Sequence, residues 1–225
     1  MKVRIIFFLT SLFVFSLNAQ NWQLVWEDDF NGNSLDQSKW VHDIGTGSQY
    51  GMWGWGNGEL QYYQPQNTTL NNGIAKIEVK EEPNGIIDSW GATSYFSSAK
   101  ITTKGLFNYR YGKAEARIKN IDGQGFWPAF WMLPSNGSWP CDGEIDIMEH
   151  FGKLQGTISS AMHTPSSFGN TANHGNQFLA DVSTKFHTFI VEWTAEEIVF
   201  KVDDVEHYRY NPPVKDNNTW PYNAD

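Results

Sequence analysis

Residues 141–150 read Cys-Asp-Gly-Glu-Ile-Asp-Ile-Met-Glu-His, and three carboxylates in a run otherwise suited to a buried β-strand are costly unless they do chemistry. Side chains on a strand alternate faces, so Glu144 and Asp146 share one face while Ile145 and Ile147 point into a core. Glu149 is out of phase, falling on the core side of a regular strand. One extra residue, most simply Met148, taken up as a β-bulge restores the phase. Glu144 and Glu149 then stand about four pleat steps apart, roughly 13 Å between backbones, and leaning toward Asp146 brings their carboxyls to about 5 Å. That separation suits attack by one carboxylate on a sugar carbon while the other protonates the leaving oxygen; an inverting pair needs about 6.5–9.5 Å to admit a water. Glu144 is the nucleophile on this reading and Glu149 the acid and then the base. Asp146 lies between them, and like-charge repulsion should keep Glu149 protonated while Glu144 stays ionised.

A solvated acidic strand face, with or without an oxygen-liking cation, is the competing reading. It leaves the out-of-phase Glu149 and its aromatic surroundings unexplained. Residues 126–133 are nearly all apolar, with Trp127, Ala129, Trp131 and Leu133 on one face and Phe126, Phe130 and Met132 on the other. One face is core; the other either meets a second buried layer or floors a cleft. Residues 45–58 hold six glycines with Tyr50, Trp53 and Trp55 among them, a composition that fits a loop at a cleft rim or a self-packed loop. Alternation predicts strands over residues 22–26, 74–80, 95–103, 111–119, 156–163, 186–193, 197–202 and 205–210. Pro83-Asn84-Gly85 reads as a turn, Asp203-Asp204 as a tight hairpin, and 168–176 as a loop carrying His174. Glu115 and Arg117 are placed for cross-strand pairing. With no helical period between the strands, the expected fold is all-β, an antiparallel β-sandwich.

The run Glu144-Ile-Asp146-Ile-Met-Glu149 resembles the bulged E-x-D-x-x-E signature of glycoside hydrolase family 16. Gly125-Phe-Trp-Pro-Ala-Phe-Trp-Met-Leu-Pro134 resembles the strand that precedes it there. Gly56-Asn57-Gly-Glu59-Leu-Gln-Tyr-Tyr63 resembles a segment of the laminarinase-like endo-β-1,3-glucanases, and the similarity runs from about Trp22 to the last residue. The resemblance implies a jelly roll with a concave substrate cleft and retaining hydrolysis of internal β-1,3 bonds in laminarin-type glucans. It implies no cofactor for catalysis and a polysaccharide as partner. Trp127 and Trp131 become stacking platforms, Asn57 and Glu59 hydrogen-bonding residues on the non-reducing side, and His163 a subsite residue near the acid/base. Agarase- or carrageenase-like β-galactan hydrolases and transglycosylases carry the same bulged motif, and a glycan-binding module could use the same sandwich. In relatives a calcium ion often sits near the amino-terminal acidic turn, where Glu27, Asp28 or Asp29 could contribute; a solvated turn reads the same way. Residues 217–225 resemble a segment that in relatives leads to a further central strand, so a catalytic domain over 20–225 with its C-terminal strands missing is expected.

Residues 1–19 read as a secretory signal peptide: Lys2 and Arg4, an apolar run over 5–15, then Leu17-Asn18-Ala19 before Gln20. A secreted or periplasmic protein is therefore expected, free of the membrane once the signal is cleaved. Removing Lys2 and Arg4 from the 16 basic residues leaves 14 against 25 acidic, a net charge of −11. That balance disfavours nucleic acid and anionic membranes and suits a neutral glycan. Cys141 is the only cysteine among 225 residues, so no intrachain disulfide forms and packing alone must hold a monomeric domain. It reads as a small, partly buried residue rather than a nucleophile, because no base neighbours it.

Overall fold

The computed structural model describes residues 21–223; the expected signal peptide lies outside them. Fifteen strands account for nearly all regular structure: Val41–Asp43 (β1), Gln61–Tyr63 (β2), Thr68–Asn71 (β3), Ile74–Ile77 (β4), Lys80–Ile87 (β5), Thr93–Ser98 (β6), Lys100–Thr102 (β7), Gly112–Ile118 (β8), Ala129–Met132 (β9), Glu144–Glu149 (β10), Thr157–His163 (β11), His174–Phe178 (β12), His187–Trp193 (β13), Ile198–Val202 (β14) and Val205–Tyr210 (β15).

Two four-stranded antiparallel sheets make the sandwich, ordered β12-β11-β10-β9 and β15-β14-β13-β8. Alternation decides which residues meet between them. Ile145, Ile147, Met148, Ile158 and Met162 come from the first sheet, and Phe189, Val191, Ile198, Phe200 and Val202 from the second. Trp220 and Tyr222 join the same core, and the Tyr222 hydroxyl donates to the His163 carbonyl at 2.6 Å. At one edge β12 runs against β15, and only glycine fits at 175, since a Cβ there would stand 2.5 Å from the Tyr208 Cβ. The outer face of the first sheet is left to carry Glu144, Asp146 and Glu149.

The Asp203-Asp204 hairpin forms as expected, both residues at positive φ (49° and 65°), the pattern of a type I′ turn. Asp203 also accepts the Thr188 N–H at 2.8 Å, which anchors the turn to β13. Other expectations are corrected. Residues 22–26 form no strand: Trp26 packs against Trp40 and Phe107, but no described strand lies beside its backbone. Pro83-Asn84-Gly85 does not end a strand; it bulges out of β5, whose pairing with β6 resumes at Ile86↔Ser94. The strand expected over 74–80 divides into β4 and the start of β5, that over 95–103 breaks at Ala99, and β12 begins at His174 inside the expected loop. The sheets are not wholly antiparallel either, because β2 pairs with β6 in parallel. Glu115 pairs along its own strand with Lys113, and Arg117 lies over the Phe186 ring, so neither makes the expected cross-strand ion pair.

Candidate active site

The bulge that Glu149 demands is present. Against β11, Asp146 faces Ala161 and Glu149 faces Ser159, so Ile147 and Met148 together oppose Ser160. Against β9, Asp146 pairs with Trp131 and Met148 with Phe130, leaving Ile147 unmatched. The extra residue is therefore Ile147 rather than Met148. Both side chains are buried in the core, and the Ile147 carbonyl accepts the Ser160 hydroxyl at 2.7 Å. Glu149 emerges beyond them on the carboxylate face, opposite Ala129.

Each glutamate is held by one indole. The Trp139 Nε1–H donates to Glu144 at 2.7 Å, and the Trp127 Nε1–H donates to Glu149 at 2.9 Å. Asp146, 5% exposed, meets His163 Nε2 at 3.0 Å. The Gly169 N–H donates to His163 Nδ1 at 3.1 Å, so the neutral ring carries its proton on Nε2 and gives it to Asp146. Burial lowers the His163 pKa, but the hydrogen bond and charge of Asp146 and the charges of both glutamates outweigh it and raise the value overall. The Gly169 amide opposes a second proton on Nδ1.

Burial, then the charge of Asp146, pushes Glu144 up to about 7, and the same two causes in the same order push Glu149 up to about 7. Burial and Asp146 thus raise both glutamates, while the His163 charge and one indole lower each. The indoles separate the two experimentally. Each lowers the pKa of the carboxyl it holds, so Trp139→Phe should raise that of Glu144 and Trp127→Phe that of Glu149. In the rate profile, Trp139→Phe is expected to move the acid limb to higher pH, and Trp127→Phe the alkaline limb. Both limbs moving together in either variant would break the assignment.

Trp127 is 44% exposed and stacks on Phe151 at 4.9 Å. Trp131 does lie on the carboxylate face, but Lys100 Nζ sits 5.0 Å over its ring, 4.0 Å over the Trp55 ring and 3.3 Å from Asp43. The lysine thus bridges Trp55 and Trp131 and ties the glycine-rich loop to β9. That loop is not wholly irregular: 3₁₀ turns form over Ser48–Tyr50 and Trp53–Gly56. Glu59 accepts Asn57 Nδ2 (3.2 Å), Gln61 Nε2 (2.7 Å) and the Tyr63 hydroxyl (2.5 Å), so Asn57 and Glu59 form a network of their own. The carboxylates therefore gather with Trp127, Trp131 and His163, and among the described contacts Asn57 and Glu59 reach Trp131 through Tyr63, Trp55 and Lys100. A cavity of about 530 Å³ lined by Asp43, Tyr50, Tyr62, Thr102 and Lys104 opens beside this loop and contains none of the three carboxylates.

Sequence reasoning missed Trp139, Lys100, Ser160 and Gly169. Trp139 carried a usable signal, an aromatic residue in a Gly/Ser-rich turn just before Glu144; Lys100 and Ser160 act through partners distant in sequence, and Gly169 through a backbone amide that residue type does not announce. Cys141, expected to be partly buried, is exposed on the turn leading into β10. At the acidic turn, Asp28 accepts the Phe30 N–H and the Trp40 indole, and Asp29 accepts Asn31. Among the described residues, the one His/Cys/Asp/Glu group at metal-ligand spacing is Glu144, Asp146 and His163, within 4.8 Å of one another.

Two half-buried glutamates of raised pKa flanking a buried aspartate on an aromatic-lined sheet face are the equipment of an enzyme that cleaves glycosidic bonds. The chain belongs to glycosyl hydrolases family 16, whose sequence profile matches residues 51–224. It is 37% identical over 220 residues to a beta-glucanase of Rhodothermus marinus, covering 91% of this chain and 72% of that one. The laminarinase from Flavobacterium sp. UMI-01 superposes with a TM-score of 0.81 at 36% identity, over 90% of this chain and 84% of the other. The catalytic domain of an endo-1,3-beta-glucanase (laminarinase) from Thermotoga petrophila RKU-1 does so at 0.81 and 38% identity, over 86% and 78%.

Proposed function

We propose that this glycoside hydrolase cleaves internal β-1,3-glucosidic bonds of laminarin-type glucans with retention of configuration. The observation that carries the reading is the bulge at Ile147, which sets Glu149 on the face of Glu144 and Asp146. The names and similarity of the relatives support the substrate. Glu144 attacks the anomeric carbon as the glycosidic C–O bond breaks, and Glu149 gives its proton to the departing oxygen. Glu149 then takes a proton from water, whose oxygen displaces Glu144 and restores the β-anomer. Asp146, supplied with a hydrogen bond by His163, shifts charge between the two glutamates as each changes protonation. This chemistry needs two carboxyls and a water and calls on no cofactor. Trp127, Asn57 and Glu59 serve the sugar chain on either side of the broken bond. The amino-terminal run supports export to the periplasm or beyond, where such polymers are met, and the mature charge supports a neutral substrate. Proton NMR of laminarin during digestion tests the proposal. New reducing ends should appear first as the β-anomer, and first appearance of the α-anomer would sink the mechanism.

A further inference from the structure

The residue opposite the bulge is a serine, and its hydroxyl bonds the bulge itself. Ile147 lies where the register breaks, and a buried carbonyl there needs a donor. Ser160, wholly buried on β11, donates its only hydroxyl proton to that carbonyl at 2.7 Å. His207 Nε2, on β15 of the facing sheet, lies 3.1 Å from the same oxygen. Because the serine proton is already committed, the histidine must be the donor in that contact. Its Nδ1 is buried without a partner among the described residues, so the proton is better placed on Nε2 than left as an unpaired donor on Nδ1. A hydrogen-bonded chain therefore crosses the sandwich from His207 through Ser160 to the backbone that turns Glu149 outward.

Building on the function proposed above, we infer that Ser160, oriented by His207, is a positioning residue for the acid/base Glu149. It touches no substrate. It fixes the bulge, and the bulge sets where the proton is delivered; Glu144 and Asp146 lie on the regular part of β10 and do not depend on it.

The test compares two substrates through kcat/KM, which reports the first bond cleavage. A laminari-oligosaccharide needs a proton on its leaving oxygen, whereas a 2,4-dinitrophenyl β-glucoside of the same chain leaves without one. Ser160→Ala should lower kcat/KM on the oligosaccharide by about tenfold or more and on the dinitrophenyl glycoside by less than about threefold. Ser160→Thr, which keeps the hydroxyl, should recover most of the loss. Equal losses on both substrates, or none on either, would overturn the inference. If Ser160→Ala does not fold, His207→Phe decides: a selective loss of about threefold on the oligosaccharide supports the chain, and an unchanged ratio rejects it. Wild-type protein inert on both substrates would instead overturn the proposed function.

Discussion

With serine in place of Glu144, the protein is expected to fold and to hydrolyse laminarin at least about 10⁴-fold more slowly, the scale of loss when a covalent nucleophile is removed. Folding should survive because the side chain serves chemistry rather than packing. It stands on the cleft side of β10, its hydrogen-bonding partner is the exposed Trp139 indole, and burial already penalises its charge. Reducing-end release and the circular dichroism spectrum, measured on one preparation, check both halves. Turnover within about tenfold of wild type in a folded variant would remove Glu144 from the mechanism.

Glu149→Gln is expected to cost about 10²- to 10⁴-fold in kcat/KM on laminarin, the range for losing a general acid. It should also stabilise the protein, and only in one pH range. The folded-state pKa of Glu149 is raised from 4.5 to about 7. Below 4.5 the carboxyl is protonated folded or unfolded, and its charge costs the fold nothing. As the pH climbs from 4.5 to about 7 the unfolded carboxyl ionises while the half-buried folded one resists, and stability is lost. Glutamine never ionises. The melting temperature of Glu149→Gln should therefore match wild type near pH 4 and exceed it at pH 8 by about 2–4 °C, the shift that about 1 kcal/mol produces in a domain of this size. A gap that is constant with pH would mean that the raised pKa is not a property of this carboxyl. Activity turns on the same two groups: Glu144 must be ionised and Glu149 protonated, so the wild-type rate should peak near pH 7 and fall on both sides.

What the sequence disclosed follows from locality. The odd offset of Glu149 announced a bulge because a charge in the core is intolerable, and that argument needs no knowledge of the neighbouring strands. The Asp203-Asp204 turn and strands β8, β13 and β14 were legible for the same reason, since alternation and turn chemistry are written in adjacent residues. Which bulge residue leaves the ladder depends on β9 and β11 together, so Met148 and Ile147 could not be told apart beforehand. The parallel pairing of β2 with β6 joins two short strands with long intervening chain and leaves no local trace. Pro83-Asn84-Gly85 has the chemistry of a turn, and only the resumption of pairing beyond it shows that β5 continues. Lys100 looked like an ordinary strand lysine; its place over Trp55 and Trp131 is purely tertiary.

The position of Ile147 also decides where this strand can change length over evolutionary time. Glu144 and Asp146 are bound by the ordinary pleat, so a one-residue insertion or deletion between them would swing the nucleophile into the apolar layer and end the lineage's activity. Between Asp146 and Glu149 the surplus residue is already stored outside the register. Losing it would return the acid to the same face by plain alternation, at the same four pleat steps from Glu144. Length variation is thus tolerated on one side of Asp146 and forbidden on the other, so the strand can shed the surplus residue while both glutamates keep their face.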